Sequence, residues 1–240
     1  MHPFWRACLA ANRAIHERIG SGLSRTQRHK STEGAGGDIS SGIDLEAEAI
    51  FVRHLAPFGQ IHSEESGRIG EGDHTVILDP IDGSSNILSG FPYYGTSAAL
   101  VDPNGETIAA CVCNLAAGEI FFKTPDTPAL RGDLFSDDLS PYLPAATSEI
   151  GIFERAYAHP DVVRALGEQG WKFRAPGAVA LSLVYSLRAE FFLYVGTYRE
   201  YDFAAGMLFL DEMELTVNAF GVIAARDPQM LNQLLYTVTQ

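Results

Sequence analysis

The stretch Val76-Ile77-Leu78-Asp79-Pro80-Ile81-Asp82-Gly83-Ser84-Ser85-Asn86 is an apolar run that ends in two acids and a turn of glycine and hydroxyls. Residues 75–78 are of the types that fill buried strands, and Pro80 and Gly83 are residues that stop one. Both carboxylates are then left at the C-terminal edge of the strand, where α/β proteins place their chemistry. Magnesium takes hard oxygen ligands and needs few protein carboxylates. Asp79 and Asp82 suit it, with the Pro80-Ile81 turn bringing the acids to one point and the Ile81 carbonyl facing the same pocket. Ser84, Ser85 and Asn86 then open a helix whose N–H groups and hydroxyls make an anion cradle, and Gly83 permits close backbone approach. Taken alone, the same acids also fit a solvated Asp-Pro turn.

Around this stretch lie 240 residues of 46% hydrophobic content, enough to bury a substantial core, and a single domain over 1–240 is expected. The proline-rich segment 124–144 marks the passage from an N-terminal half, 1–123, to a C-terminal half, 124–240. No apolar run reaches the roughly 18–20 residues of a membrane span. Arg6, Arg13 and Glu17 interrupt the N-terminal segment, so a soluble, cytoplasmic protein is expected. A formal charge of −13 argues against nucleic acid and anionic membranes as partners, because neutralising phosphates needs a surplus of Lys and Arg. An anionic substrate would need the help of a metal. Cys8, Cys111 and Cys113 form neither an even set nor a C-x-x-C pair and read as buried thiols, with Cys111 and Cys113 facing the same way along a strand.

The spacing of Phe4, Trp5, Cys8, Leu9, Ile15 and Ile19 predicts an amphipathic first helix, interrupted by Asn12. The segment 31–41, with Gly34-Ala35-Gly36-Gly37, predicts a mobile loop. A helix over 44–56 follows, then a short strand from 61 into the acidic turn Glu64-Glu65-Ser66, and later an antiparallel meander over 96–101, 107–113 and 119–123. Farther on, helices at 162–169 and 178–186 alternate with strands at 172–174 and 191–195. Asp202 opens a helix, one strand covers 215–224, and a last helix starts at 228. Gly95-Thr96-Ser97-Ala98 has a vague look of a nucleophile elbow but lacks the second glycine and a histidine partner.

Glu64-Glu65-Ser66, Asp79-Pro80-Ile81-Asp82-Gly83-Ser84-Ser85-Asn86 and Tyr201-Asp202-Phe203-Ala204-Ala205-Gly206 resemble, in order, the three signature blocks of the inositol monophosphatase family. That family shares a magnesium-dependent, lithium-sensitive superfamily with fructose-1,6-bisphosphatase. The likeness spans about 30–225. It implies an α+β fold, the layered α-β-α-β-α sandwich of the family, with a homodimer as the usual assembly. It also implies hydrolysis of a small phosphate monoester, an inositol phosphate or sugar phosphate, by water activated on two or three Mg²⁺ ions. By position, Glu64, Asp79 and the Ile81 carbonyl hold one Mg²⁺, and Asp79, Asp82 and Asp202 the second. Asp44 and Ser84 pair to orient and deprotonate the water, with Glu65 supporting the same catalytic set. Gly83, Ser84 and Ser85 donate to the phosphate, and Gly177 and Ala178 border the substrate.

Without the resemblance, Asp44 and Asp202 also read as helix N-caps. The chain departs from the family pattern in several places. Tyr201 replaces the usual Trp, Val179 an alanine, Tyr194 stands where an acid often meets inositol, and the segment after Met213 lacks a glycine pair. Ser84-Ser85-Asn86-Ile87 is nearer the fructose-1,6-bisphosphatase wording, which points to a sugar phosphate, with Arg174, Arg188 and Arg199 as candidates for a second phosphate. The same blocks admit a bisphosphate-nucleotide or NADP(H) phosphatase, or a non-catalytic relative whose metal cage serves assembly or regulation.

Overall fold

Two large sheets, a separate two-stranded hairpin and the helices between and around them build the fold of residues 1–239, the part described by this computed structural model. In chain order the elements are α1 (Pro3–Gly20), α2 (Arg25–Arg28), β1 (Lys30–Glu33), β2 (Ile39–Ser41), α3 (Gly42–Leu55), β3 (Gln60–Ser63), β4 (Gly67–Ile69), β5 (Thr75–Asp82), α4 (Ser84–Ser89), β6 (Gly95–Val101), β7 (Thr107–Asn114), β8 (Glu119–Lys123), β9 (Leu130–Asp133) and β10 (Leu139–Pro141). They continue with β11 (Gly151–Glu154), α5 (Pro160–Glu168), β12 (Phe173–Arg174), α6 (Val179–Tyr185), β13 (Phe191–Val195), α7 (Glu200–Leu208), β14 (Glu214–Asn218), β15 (Gly221–Ala225) and α8 (Pro228–Val238). The first sheet runs β10-β9-β8-β7-β6-β5-β3-β4, the second β12-β11-β13-β15-β14, and β1 and β2 pair as a separate hairpin. No helix among the described residues is long and apolar enough to cross a membrane.

Strand parity assigns the layers. Val76, Leu78, Ala98, Leu100, Cys111, Cys113 and Phe122 pack with Phe4, Cys8, Ile43 and Phe51 of α1 and α3. The alternate residues Ile77, Ala99, Ala110, Val112 and Phe121 pack with Leu181, Val184, Ala205 and Phe209 on the other side. Helices α6 and α7 then turn Leu183 and Phe203 toward Phe192, Val222 and Ala224 of the second sheet. Its far face, with Phe191, Leu193 and Ile223, is covered by Leu166 of α5 and Leu234 and Val238 of α8. The result is the α-β-α-β-α order expected of the fold. Each fully buried Phe in these layers contributes about 1.5–3 kcal/mol.

Asn12, the break in the apolar stripe of α1, is buried and useful. Its Nδ2 donates to the Cys8 carbonyl at 2.9 Å. Its Oδ1 accepts from Thr96 Oγ1 at 2.8 Å, tying α1 to β6. All three cysteines are buried and free, and Cys111 and Cys113 share the face that meets Cys8.

Several sequence expectations need correction. Pro80 does not end its strand: β5 continues to Asp82, and Gly83 ends it with φ 89°. The segment 31–41 is a paired hairpin rather than a loop, because its glycines serve close approach to Glu64 as well as turning. The 123/124 division cuts through the first sheet, since β9 and β10 extend it to Pro141. The single strand expected over 215–224 is the antiparallel pair β14–β15. The serine of the elbow-like segment, Ser97, is buried inside β6.

Within the helical layer between the two sheets, α6 and α7 approach each other closely at Gly206, on α7. A Cβ there would lie 2.5 Å from Leu183 Cδ1 and 2.7 Å from Leu183 Cβ on α6. This closeness gives the last glycine of Phe203-Ala204-Ala205-Gly206 a packing role. Gly206→Ala is expected to cost about 1–3 kcal/mol of stability despite its better helix propensity, as measured by urea unfolding; an unchanged midpoint would show that α6 and α7 separate freely.

Candidate metal centre

A register shift in β5 aims the acids of the opening stretch. Asp79 pairs with Ser97 and Asp82 with Gly95, so three steps on β5 span two on β6. In a regular strand, residues three apart face opposite sides; the extra residue of the bulge restores Asp82 to the side of Asp79. Pro80 fits such a bulge because it has no N–H to pair. The two carboxylates therefore leave one strand into one cavity.

That cavity, of about 710 Å³, is lined by β5, the acidic turn after β3, the β1–β2 turn, the end of β11 and the start of α7. Carboxylate oxygens of Glu64, Asp79 and Asp202 lie within 4.8 Å of one another. Asp82 lines the same cavity but stands outside that trio, with Oδ2 accepting from the Leu181 N–H at the start of α6 at 3.0 Å. Asp79 Oδ1 accepts from the Ile81 N–H at 3.0 Å. The Ile81 carbonyl accepts from Ser84 Oγ at 3.1 Å, and the same hydroxyl donates to Asp44 Oδ1 at 2.9 Å. The Asp44–Ser84 pair implied by the resemblance is therefore formed.

Neither Asp44 nor Asp202 is an N-cap. Asp44 is the third residue of α3 and reaches back to the Ser41 N–H at 2.6 Å. Asp202 is the third residue of α7, whose N-cap position is Arg199. Glu65 is half-buried and accepts from the Ser40 hydroxyl. Gly83 packs against the substrate-side segment: a Cβ on it would meet Ala178 Cβ and the Tyr93 carbonyl at 3.1 Å. Ser85 and Gly177 line the cavity, whereas Ala178 is buried in the core beside it.

The hairpin β1–β2 docks on the acidic turn by its backbone. Ala35 N–H donates to the Glu65 carbonyl at 2.9 Å and Gly36 N–H to the Glu64 carbonyl at 2.7 Å. A Cβ at Gly36 would lie 2.6 Å from Glu64 Cγ, so the segment must be glycine to come this close.

Of the arginines expected near a second phosphate, two are elsewhere. Arg174 is exposed and donates to its neighbour's carbonyl, and Arg188 lies over the Tyr142 ring. Arg199 does enter the cavity, but it is held by acids: 2.7 Å from Glu64, 2.6 Å from Asp38 and 3.0 Å from Asp202. Sequence reasoning missed Glu154 and Arg155. Glu154, at the end of β11, is buried, accepts from Ser182 Oγ at 2.5 Å and receives the Gly177 N–H at 3.1 Å. Arg155 follows it with φ 58°, the one positive φ outside glycine among the described residues, and donates to Tyr194 Oη at 3.0 Å. The pattern Ile152-Phe153-Glu154, an apolar strand ending in an acid, repeats that of Ile77-Leu78-Asp79 and was the available signal.

Electrostatics mark the same residues. Burial pushes Glu64 up to about 7, with Arg199 opposing and Asp202 and Glu65 adding to the rise. Burial likewise lifts Glu65 to about 7, the Ser40 hydroxyl opposing. Asp79 is held well above the usual carboxylate range by burial, then by the charges of Glu64 and Asp82. Asp82 is raised by burial, against the N–H groups at the start of α6. An oxygen-only donor set of converging, mutually repelling carboxylates fits a hard divalent cation such as Mg²⁺.

An α+β sandwich around a carboxylate cage suited to hard cations is thus the class that fold and site define. The chain belongs to the Inositol monophosphatase family, whose profile matches residues 3–218. It is similar to Nus factor SuhB of Vibrio cholerae serotype O1, 27% identical over an alignment of 261 positions that covers 100% of this chain and 97% of the relative. Its fold is similar to that of extragenic suppressor protein suhB from Bartonella henselae, with TM-score 0.80 at 23% identity, covering 99% of this chain and 97% of that one. It is also similar to the fold of an inositol monophosphatase–fructose 1,6-bisphosphatase, with TM-score 0.81 at 18% identity, covering 99% and 100%.

The raised carboxyls set a pH dependence. In the folded, metal-free chain Glu64 and Glu65 keep protons that they lose near 4.5 when unfolded. Their contribution to stability is full below that pH and is lost as pH rises through about 7. With EDTA, melting should therefore fall between about pH 5 and 7.5 by a few degrees, at roughly 2–4 °C per kcal/mol for this size. Mg²⁺ should recover most of it at pH 7.5; a flat metal-free profile would contradict the assignment.

Proposed function

We propose that the chain hydrolyses a small phosphate monoester, an inositol phosphate or sugar phosphate, in a Mg²⁺-dependent reaction. The observation that carries this reading is the Asp44–Ser84 hydrogen bond, at 2.9 Å, beside the converging carboxylates of Glu64, Asp79 and Asp202. When bound, Mg²⁺ supplies a water of lowered pKa and positive charge for the phosphate and its leaving oxygen. By the family resemblance, Glu64, Asp79 and the Ile81 carbonyl would hold one ion, and Asp79, Asp82 and Asp202 a second.

Asp44, through Ser84, accepts the proton of the attacking water and fixes its direction. The Gly83 turn with Ser84 and Ser85 donates to the phosphate oxygens, and Glu65 keeps the acidic turn in place. On the substrate side, Glu154 holds the Gly177 turn. It pairs in register with Tyr194, so an acid faces the cavity one strand away from the position where the family resemblance expects it. An acidic chain of −13 thus handles an anionic ester through bound cations rather than surface charge. Inhibition by lithium, a homodimer and a cytoplasmic location are parts of the same reading that rest on the family resemblance.

A second reading, a fold relative that works by binding rather than hydrolysis, is favoured by the name Nus factor carried by the SuhB relative. Phosphate release in Mg²⁺ from inositol monophosphates, fructose 1,6-bisphosphate, adenosine bisphosphate and NADP separates the two. Turnover of any one supports hydrolysis and ranks the substrates, and none at all supports the binding role.

Asp79→Asn should lower turnover by at least about a hundredfold with an unchanged circular dichroism spectrum. Asp44→Asn should lose about 10²-fold in kcat while keeping its Mg²⁺ affinity by calorimetry; lost affinity would make Asp44 a ligand instead of the base.

A further inference from the structure

The Arg199 guanidinium lies among the acids that the metal reading needs. Nη1 is 2.7 Å from Glu64 Oε1 and 2.6 Å from Asp38 Oδ2. Nε donates to Asp202 Oδ2 and Nη2 to Asp202 Oδ1, each at 3.0 Å, a forked pairing of the kind that planar guanidinium and carboxylate favour. Glu64 and Asp202 are two of the three residues whose oxygens converge. Arg199 thus engages one oxygen of Glu64 and both oxygens of Asp202. Being three residues from Asp202 at the start of α7, the guanidinium is tethered at its site.

The third partner extends the contact beyond the cluster. Asp38 is exposed and belongs to the turn between β1 and β2, whose backbone rests on the carbonyls of Glu64 and Glu65. Gly34 N–H closes that turn on the Asp38 carbonyl at 2.8 Å. Arg199 therefore connects α7, the acidic turn after β3 and the glycine-rich turn in one ion-paired knot.

We propose that Arg199 is an internal counter-cation that closes the metal-free site and is displaced when a divalent cation takes the oxygens of Glu64 and Asp202, releasing Asp38 and loosening the 34–38 turn. This rests on the metal reading above. Three consequences follow from mass action. Arg199 stabilises the metal-free chain, it weakens the apparent metal affinity because metal must compete with it, and metal occupancy is coupled to the position of the turn beside the cavity. Removing the guanidinium should reverse the first two together, a combination that loss of an ordinary structural contact does not give.

The test is calorimetric titration of the full chain with MgCl₂, for wild type, Arg199→Ala and Arg199→Lys, alongside melting in EDTA. Arg199→Ala should bind Mg²⁺ about tenfold more tightly, the size expected for removing a competing charged hydrogen bond, and should melt lower without metal. Arg199→Lys, which keeps a charge but not the fork, should fall between. Hydrogen exchange of the Gly34, Ala35 and Gly36 amides should quicken with Mg²⁺ in wild type and be quick already in metal-free Arg199→Ala. Should Arg199→Ala fail to fold, Arg199→Gln carries the same comparison. Equal or weaker Mg²⁺ binding by a folded variant overturns the displacement while leaving the metal reading intact; no Mg²⁺ binding by wild type or variants overturns the metal reading and this inference with it.

Discussion

Three buried carboxylates with oxygens within 4.8 Å of one another constrain everything around them. At an effective dielectric of about 20, each ionised pair at that separation repels by about 3–4 kcal/mol, before any cost of leaving water. A chain bears this only where the acids are held by rigid elements and a positive charge is available. Here the holding is done by backbone: the bulge in β5 turns Asp79 and Asp82 to one side, the Leu181 N–H at the start of α6 grips Asp82, and the first turn of α7 presents Asp202. The positive charge within the metal-free cluster comes from Arg199.

The layer order explains how such distant residues meet. Helices α6 and α7 lie between the two sheets, packed on one by Leu181 and Ala205 and on the other by Leu183 and Phe203. Their N-termini consequently open toward the end of β5, and the close contact of Gly206 with Leu183 fixes their separation. Stability and site share these contacts, so a change that spreads the two helices also moves Asp202 away from the Leu181 N–H that grips Asp82. The glycine-rich hairpin adds a covering element that approaches Glu64 more closely than any side chain would permit.

Much of this was legible in the sequence, for physical reasons that differ from place to place. The β-rich apolar run 75–78 and the acids that follow identify β5 and its chemistry, and the Asp44–Ser84 pair and the layer order followed from the family resemblance. The bulge was not legible, because proline is both a strand terminator and a residue suited to irregular pairing. The segment 34–37 was read as loose since glycine usually signals turning, whereas Gly36 is there to avoid a clash with Glu64. Strand β11 was overlooked because it is buried on both faces and shows no alternation, and Glu154 went with it. Arg199 was recognisable as a cation near the third block, but only the folded geometry turns it from a substrate contact into a partner of acids.

The most direct test of the carboxylate cage is a crystal structure of the full chain grown with Mn²⁺, a hard cation with an anomalous signal. The expected result is an anomalous peak within about 2.5 Å of oxygens from Glu64, Asp79 and Asp202, with the Arg199 guanidinium turned away. A cluster still closed on Arg199 at millimolar Mn²⁺, with no peak among those oxygens, would contradict the cage.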